Sequence, residues 1–78
     1  MKDRRYQFTV ILSPERDPEF PGYYNAVVPA LPGCLSYGAS KDEALTNIKE
    51  AIEAYIDQLN AEGEAVPDDQ VERVLIEV

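Results

Sequence analysis

The feature that most constrains this sequence is a long amphipathic pattern in its second half. From Ala44 to Leu59, apolar side chains recur at intervals of three and four residues, which keeps one face of an α-helix apolar. Ser40 and Glu43 match a capping box, in which each side chain accepts a hydrogen bond from the other residue's amide. Gly63 is suited to end such a helix. The pattern predicts a helix that begins after Ser40 and lies on one face of a sheet.

Four shorter segments have the composition and alternation of β-strands. Residues 6–12 alternate apolar and polar side chains, and residues 23–28 do the same until Pro29, which cannot donate to a ladder. Residues 34–37 form a short third run. Residues 71–78 alternate again after a polar stretch that follows the helix. The sequence therefore predicts the element order β-β-β-α-β.

This order predicts a single α+β domain with one helix packed on a mostly antiparallel sheet. Three consecutive strands with short connections favour an antiparallel meander, and the helix then crosses over to a last, parallel strand. The proline-rich, charged segment 13–22 is expected to be an exposed loop. One helix covers one sheet face, so we expect the face with Ile11, Tyr23 and Val27 to remain open for another protein.

Charge and composition exclude several classes of function. One cysteine and no histidine exclude an internal disulfide, the usual zinc sites and histidine-assisted nucleophiles. The net charge is −8, and ten acidic residues against one basic residue, Lys49, lie between Asp42 and Glu72, a balance that repels nucleic-acid phosphates. The basic residues at positions 2–5 are expected to form a solvated tail.

No segment of the sequence has the character of a membrane span or a secretory signal. No apolar run approaches the ~18 residues that a spanning helix needs, and the N-terminus lacks the apolar core of a signal peptide. We therefore expect a cytoplasmic protein.

Two groups of side chains have both a chemical and a structural interpretation. Cys34 could be a reactive thiol, but free cysteines are most often small buried hydrophobes, and we favour burial. Three tyrosines could stack nucleic-acid bases, yet no Lys or Arg lies between them, so sheet packing or a protein interface is favoured. These tyrosines are Tyr23, Tyr24 and Tyr37.

The acidic residues of the helix could hold a catalytic cation, although nothing in the sequence adds a further ligand or a base. Glu43 is assigned to the cap, Asp42 suits the positive end of the helix dipole, and Glu50 belongs to an exposed stripe with Glu53 and Asp57. We therefore expect no metal, no cofactor and no enzymatic activity. Asn47 either bonds to the turn before the helix or faces water, and the sequence does not separate these alternatives.

The segment GYYNAVVPALPGCLSYGASKDEALTNIKEAIEAY resembles the signature of HicB-family antitoxins. The family pattern has Gly-Tyr, Ala, Val-Pro, Leu-Pro-Gly-Cys, Gly and a hydroxyl residue, followed by Glu-Ala, Asn and Glu-Ala-Ile. The resemblance extends over about residues 6–66. Its matching positions are Gly22-Tyr23, Ala26, Val28-Pro29, Leu31 to Cys34, Gly38, Ser40, Glu43-Ala44, Asn47 and Glu50 to Ile52.

The resemblance implies a partial RNase H fold without that enzyme's catalytic carboxylates. It also implies a function, the inhibition of a small basic mRNA-cleaving toxin, HicA, by covering its active site. Many family members add a C-terminal DNA-binding segment, and we expect residues 1–78 to be one domain without it. The family's frequent acidic residue between Val-Pro and Leu-Pro-Gly-Cys is Ala30 here.

We predict a non-enzymatic antitoxin that contacts a HicA-like toxin through Tyr23, Asn25, Val27 and Leu31. Acidic side chains would steer the basic partner, and apolar side chains would exclude water at the contact. The alternatives are an orphan oligomeric module and a carboxylate-dependent nuclease-like enzyme. An open sheet in so small a domain also predicts a homo-oligomer, a dimer or tetramer, joined through a strand edge or the open face.

Overall fold

The structure, a computed structural model, describes residues 6–78 and confirms an α+β fold. Its first three elements are strands and its fourth is a helix, as the sequence predicts. The predicted basic tail at residues 2–5 lies outside the described residues. The elements are β1 (Ile11–Pro14), β2 (Tyr24–Val27), β3 (Leu35–Gly38) and α1 (Lys41–Ala61).

The three strands form one antiparallel sheet in the order β1-β2-β3. Ile11 pairs with Val27 and Val27 pairs with Leu35, so these three residues form a row across the sheet. Successive side chains of a strand point to opposite faces. The neighbouring row contains Ala26, which is fully buried beneath α1, while the Ile11 row faces away from the helix.

The first strand lies later in the sequence than residues 6–12, the range predicted for it. The register places Ile11 opposite Val27, so residues before Ile11 lie beyond the end of β2. There the chain turns at Pro29, and the Val28 amide instead donates to the Cys34 carbonyl at 3.0 Å. Residues 6–10 are thus left without a neighbouring strand on this side, although the side chains of residues 8 and 10 still pack against the core.

The start of α1 has the predicted cap with one difference in its partners. Ser40 adopts an extended backbone, and its Oγ accepts from the Glu43 amide at 3.1 Å. The Glu43 carboxylate accepts from the amide of Ala39, one residue earlier than the predicted Ser40 amide. Gly63 follows the helix with φ +70°, a conformation that favours glycine. Within residues 6–78, no helix combines the length and the apolar character that crossing a membrane requires.

Replacing Ser40 with alanine is expected to lower the free energy of unfolding by about 1 kcal/mol, because the Glu43 amide loses its acceptor. Chemical denaturation followed by circular dichroism measures this difference. Ser13→Ala is the matched control, since Ser13 is exposed on β1 and its replacement should change stability by less than about 0.5 kcal/mol. Equal losses for both variants would show that the cap contributes nothing specific.

The core lies between the sheet and α1 and includes the connection from β2 to β3. Leu31 is fully buried in that connection, and Cys34 is 4% exposed, as the sequence predicts for a small apolar side chain. Backbone hydrogen bonds within this connection hold it in two successive turns. The Leu31 amide donates to the Val28 carbonyl at 3.0 Å, and the Cys34 amide donates to the Leu31 carbonyl at 2.9 Å. The buried cluster consists of Ala26, Val28, Leu31, Cys34 and Ile48.

The prediction of a last strand at residues 71–78 is wrong for this structure. Within residues 6–78 no strand follows α1, and the chain after Gly63 is irregular. The chain just before residues 71–78 is held at Asp69, whose carboxylate accepts from the Thr9 amide at 3.1 Å and the Thr9 hydroxyl at 2.7 Å. Beyond this tie no ladder forms, so the segment's alternating apolar side chains remain in solvent.

Candidate functional site

The sheet face that points away from α1 is open and largely apolar. The row at one end of the sheet consists of Ile11, Val27 and Leu35, which are 51%, 41% and 64% exposed. The adjacent row on the same face is polar and aromatic. We call this surface the outer face, and it comprises Ile11, Ser13, Tyr23, Asn25, Val27, Leu35 and Tyr37.

Aromatic rings border one end of the outer face. Phe20 and Tyr23 meet edge to face with ring centroids 5.4 Å apart, and Tyr23 lies 6.4 Å from the ring of Tyr37. Together with Glu15 and Asn25 they line an open depression of about 270 Å³. Rigid aromatic side chains provide large contact area at little entropic cost, which is why interfaces are enriched in them.

Two polar side chains that line the depression are hydrogen-bonded to each other. Asn25 Nδ2 donates to Glu15 Oε1 at 2.6 Å, and the Glu15 amide donates to the Tyr23 carbonyl at 2.8 Å. These bonds hold the Asn25 side chain in one orientation, and the amide oxygen is not used by this contact. The adjoining loop also carries Asp17 and Glu19, so this end of the outer face is rich in negative charge.

The structure brings together three of the four residues predicted to contact a partner. Tyr23, Asn25 and Val27 all lie on the outer face, as the alternation of β2 requires. Leu31 has no exposed surface and belongs to the core. In this conformation the Leu31 side chain cannot touch a partner, because the β2–β3 connection folds it inward.

Two hydrogen bonds from α1 position the connection and the third strand. Asn47 Nδ2 donates to the Tyr37 carbonyl at 2.8 Å, so of the two alternatives for Asn47 the structure has a bond to the chain just before the helix. The Tyr55 hydroxyl donates to the Pro32 carbonyl at 2.9 Å. These bonds join α1 to β3 and to the β2–β3 connection, on the side of the sheet opposite the outer face.

Sequence reasoning missed several residues of the outer face. Leu35 and Tyr37 can be assigned to it only once their register with Val27 and Asn25 is known. The signal that was present is the alternation of the third strand, in which both residues occupy odd positions. Tyr24 does not lie on the outer face with Tyr23 and Tyr37. The Nζ atom of Lys41 lies 5.7 Å from the centroid of its ring.

The thiol and the carboxylates do not form a reactive site in the described part of the chain. Burial raises the pKa of the Cys34 thiol, which favours the unreactive neutral form. Among residues 6–78, no three side chains of the metal-binding types come together as a cation site. The Glu43 carboxylate is already engaged by the Ala39 amide.

Comparisons with known proteins agree on one group of relatives. A family model described as a HicB-like antitoxin of a bacterial toxin–antitoxin system matches residues 8–76. A UPF0150 protein of Thermoplasma acidophilum is 47% identical over 70 residues, which cover 90% of this chain and 96% of the relative. A UPF0150 protein of Synechocystis is 48% identical over 62 residues, covering 80% of this chain and 73% of the relative.

Proposed function

The chain belongs to the HicB-like antitoxin family of bacterial toxin–antitoxin systems, and we propose that it inhibits a small basic HicA-like toxin by covering the toxin's active site. The observation that carries this proposal is the outer face, an uncovered apolar sheet surface with aromatic side chains at one end. A soluble monomer rarely exposes a contiguous apolar surface of this kind unless something binds there.

Burial of the outer face supplies the affinity in this proposal. Ile11, Val27 and Leu35 offer three adjacent apolar side chains, and Tyr37 is 63% exposed beside them. Removing apolar surface from water contributes roughly 25 cal/mol per Å², and a few central aromatic and aliphatic residues generally dominate such an interface. A protein bound here would be shielded from substrate RNA over the same area.

In this proposal, the negative net charge of the chain attracts the basic toxin and speeds association. The chain carries a net charge of −8, and the loop beside the outer face contributes Glu15, Asp17 and Glu19 against Arg16. A toxin that binds RNA needs a basic surface, so the two proteins attract each other over distances comparable with the Debye length. Added salt should slow association more than it speeds dissociation.

The four predicted contact residues take two different roles in this proposal. Tyr23, Asn25 and Val27 meet the toxin directly, and two further outer-face side chains, Leu35 and Tyr37, add contacts from the next strand. Leu31 acts from the core, by fixing the connection between β2 and β3. The protein itself contributes no catalytic group, and it binds neither metal nor cofactor.

Under the same proposal the protein is a cytoplasmic homo-oligomer of one-domain subunits. An mRNA-cleaving toxin acts where mRNA is translated, so its inhibitor belongs in the same compartment. The edges of a three-stranded sheet are open to pairing with another chain, which favours a dimer or tetramer. We also expect the subunit to have the partial RNase H fold of the family.

A substitution on the outer face is expected to weaken toxin binding by at least about tenfold. Val27→Asp places a charge in the apolar row, where desolvating it would cost more than about 1.4 kcal/mol. Thr46→Asp is the matched control, because it adds the same charge at an exposed position of α1. Isothermal titration calorimetry of each variant with the co-purified toxin measures the effect.

The result for Val27→Asp is meaningful only when the variant folds. Unchanged far-ultraviolet circular dichroism and a melting temperature close to that of the unsubstituted chain establish this. If the folded Val27→Asp variant binds as tightly as Thr46→Asp does, the toxin binds elsewhere and the outer face is not the antitoxin surface.

A further inference from the structure

The last eight residues carry the most exposed apolar side chains of the described chain. Val74, Leu75 and Ile76 are 69%, 86% and 78% exposed, and Val78 is fully exposed. The segment has the alternation of a strand, with Val74, Ile76 and Val78 on one side. Leaving these side chains in water forgoes the stabilisation that burial of apolar surface provides.

The same molecule has an open apolar groove of about 500 Å³. One wall is the extended stretch before β1, and the other is the adjacent side of α1. Tyr6 and Phe8 stack with ring centroids 6.3 Å apart, and Leu45 is 41% exposed. The apolar lining includes Tyr6, Phe8, Val10, Leu45, Ile52 and Ile56, and three charged side chains of α1 also line the groove.

The groove lies at the free edge of the sheet. In the described residues β1 pairs only with β2, so its other side has no strand neighbour. The Thr9 amide, on the stretch leading into β1, donates to the Asp69 carboxylate. The Thr9 amide therefore points away from the sheet and is bonded within its own chain.

The dimensions of the segment and the groove agree. From Leu45 to Ile56 the helix rises about 17 Å, at about 1.5 Å per residue. Val74 to Val78 in extended form span about 13 Å, at about 3.3 Å per residue. The three side chains on one side of the segment therefore fit along the helical wall within one groove.

In this structure, residues 71–78 do not lie in the groove of their own chain. The Thr9–Asp69 bonds hold the segment's start at the edge, and all side chains beyond Gln70 remain exposed. The radius of gyration is 14.4 Å, whereas a compact chain of this length would have about 11.5 Å. Each molecule thus has one open groove and one projecting segment that matches it.

We propose that two copies of this chain exchange their C-terminal segments, so that residues 71–78 of each copy lie as an added strand in the groove of the other. Because the exchange is reciprocal, it closes the assembly after two subunits with two-fold symmetry. The exchange buries the exposed side chains Val74, Ile76 and Val78 against α1. It leaves the outer face free, and it does not depend on the proposed toxin.

Light scattering on the full chain at micromolar concentration tests the dimer. The expected mass is twice the 8.7 kDa of one chain. Ile76→Asp should give single chains, because it places a charge in the groove, while Glu77→Gln on the opposite side of the segment should leave the dimer intact. A single-chain mass for the unsubstituted protein, or a dimer that survives Ile76→Asp, overturns the proposal.

Disulfide trapping tests whether the segment crosses between copies, and it needs no variant to be monomeric. One chain carries Ile76→Cys, at the middle of the segment, and another carries Ile52→Cys, near the middle of the helical wall, with the buried Cys34 left in place and the unsubstituted chain as the background control. Unfolding the two chains, refolding them together and then oxidising them should join the two different chains. A third chain carries both cysteine substitutions. If a disulfide forms only within that single chain, the segment folds back on its own molecule and the proposed exchange is wrong. If no disulfide forms in the mixture or in the doubly substituted chain, the exchange is also wrong.

Discussion

Replacing Gly38 with alanine is expected to lower the free energy of unfolding by about 2–4 kcal/mol. A methyl group on Gly38 would lie 2.7 Å from the Glu43 carbonyl carbon and 2.9 Å from Ala44 Cα, both of them backbone atoms of the first helical turn. These atoms cannot rotate away, so β3 and α1 would have to separate. Thermal denaturation should show a melting temperature lower by more than about 8 °C.

Gly63→Ala is the matched control for Gly38→Ala. Gly63 has φ +70° and no atom within 4 Å of the position of a Cβ, so alanine there costs only the backbone strain of about 1–2 kcal/mol. The loss at Gly38 should be clearly the larger, although Gly38 has no unusual φ. A Gly38→Ala variant as stable as the unsubstituted protein would contradict the close packing of β3 on α1.

The second large effect is expected for Leu31→Ala, at about 2–5 kcal/mol of lost stability. Leu31 is fully buried although it lies in the connection between two strands. Its removal leaves a cavity beneath the sheet in a domain whose whole stability is on the order of 5–15 kcal/mol. Urea denaturation should give a lower midpoint with a similar slope.

Leu35→Ala provides the comparison for Leu31→Ala, because the same side chain is removed from the outer face. Leu35 is 64% exposed, and its truncation should change stability by less than about 0.5 kcal/mol while weakening toxin binding. Comparing the two substitutions thus distinguishes an effect on stability from an effect on toxin binding. Equal destabilisation by both substitutions would contradict the assignment of Leu31 to the core and Leu35 to the interface.

The helix and its cap were predictable because their signals are local. Ser40 and Glu43 are three residues apart, and the apolar period of α1 is visible without any knowledge of the sheet. The partner of the Glu43 carboxylate was less predictable, because the choice between the amides of Ala39 and Ser40 depends on the path of the chain leaving β3.

The bounds of β1 were not predictable, because a strand exists only where a partner lies beside it. Residues 6–10 have the alternation of a strand, but the turn at Pro29 takes β2's continuation away from them. The prediction of a strand at residues 71–78 is wrong for a related reason. The pattern of this segment requires an apolar surface to lie on, and within one chain the segment does not reach one.

The outer face was predictable in outline and not in detail. Alternation within β2 placed Tyr23, Asn25 and Val27 together, whereas the contribution of β3 required the register. The sequence predicts Leu31 as an apolar contact residue of the loop after β2, and the structure instead buries it. Its burial follows from the hydrogen bonds that close residues 28–34, which no residue pattern reveals.

Inhibition of RNA cleavage tests the account most directly. The toxin to use is a small basic protein encoded in a neighbouring reading frame, and the measurement is cleavage of a labelled mRNA at fixed toxin with increasing amounts of this protein. Cleavage should fall to background near equal numbers of the two chains, and the Val27→Asp variant should require at least about tenfold more protein. Undiminished cleavage in the presence of a large excess of the folded, unsubstituted chain would contradict the proposed inhibition.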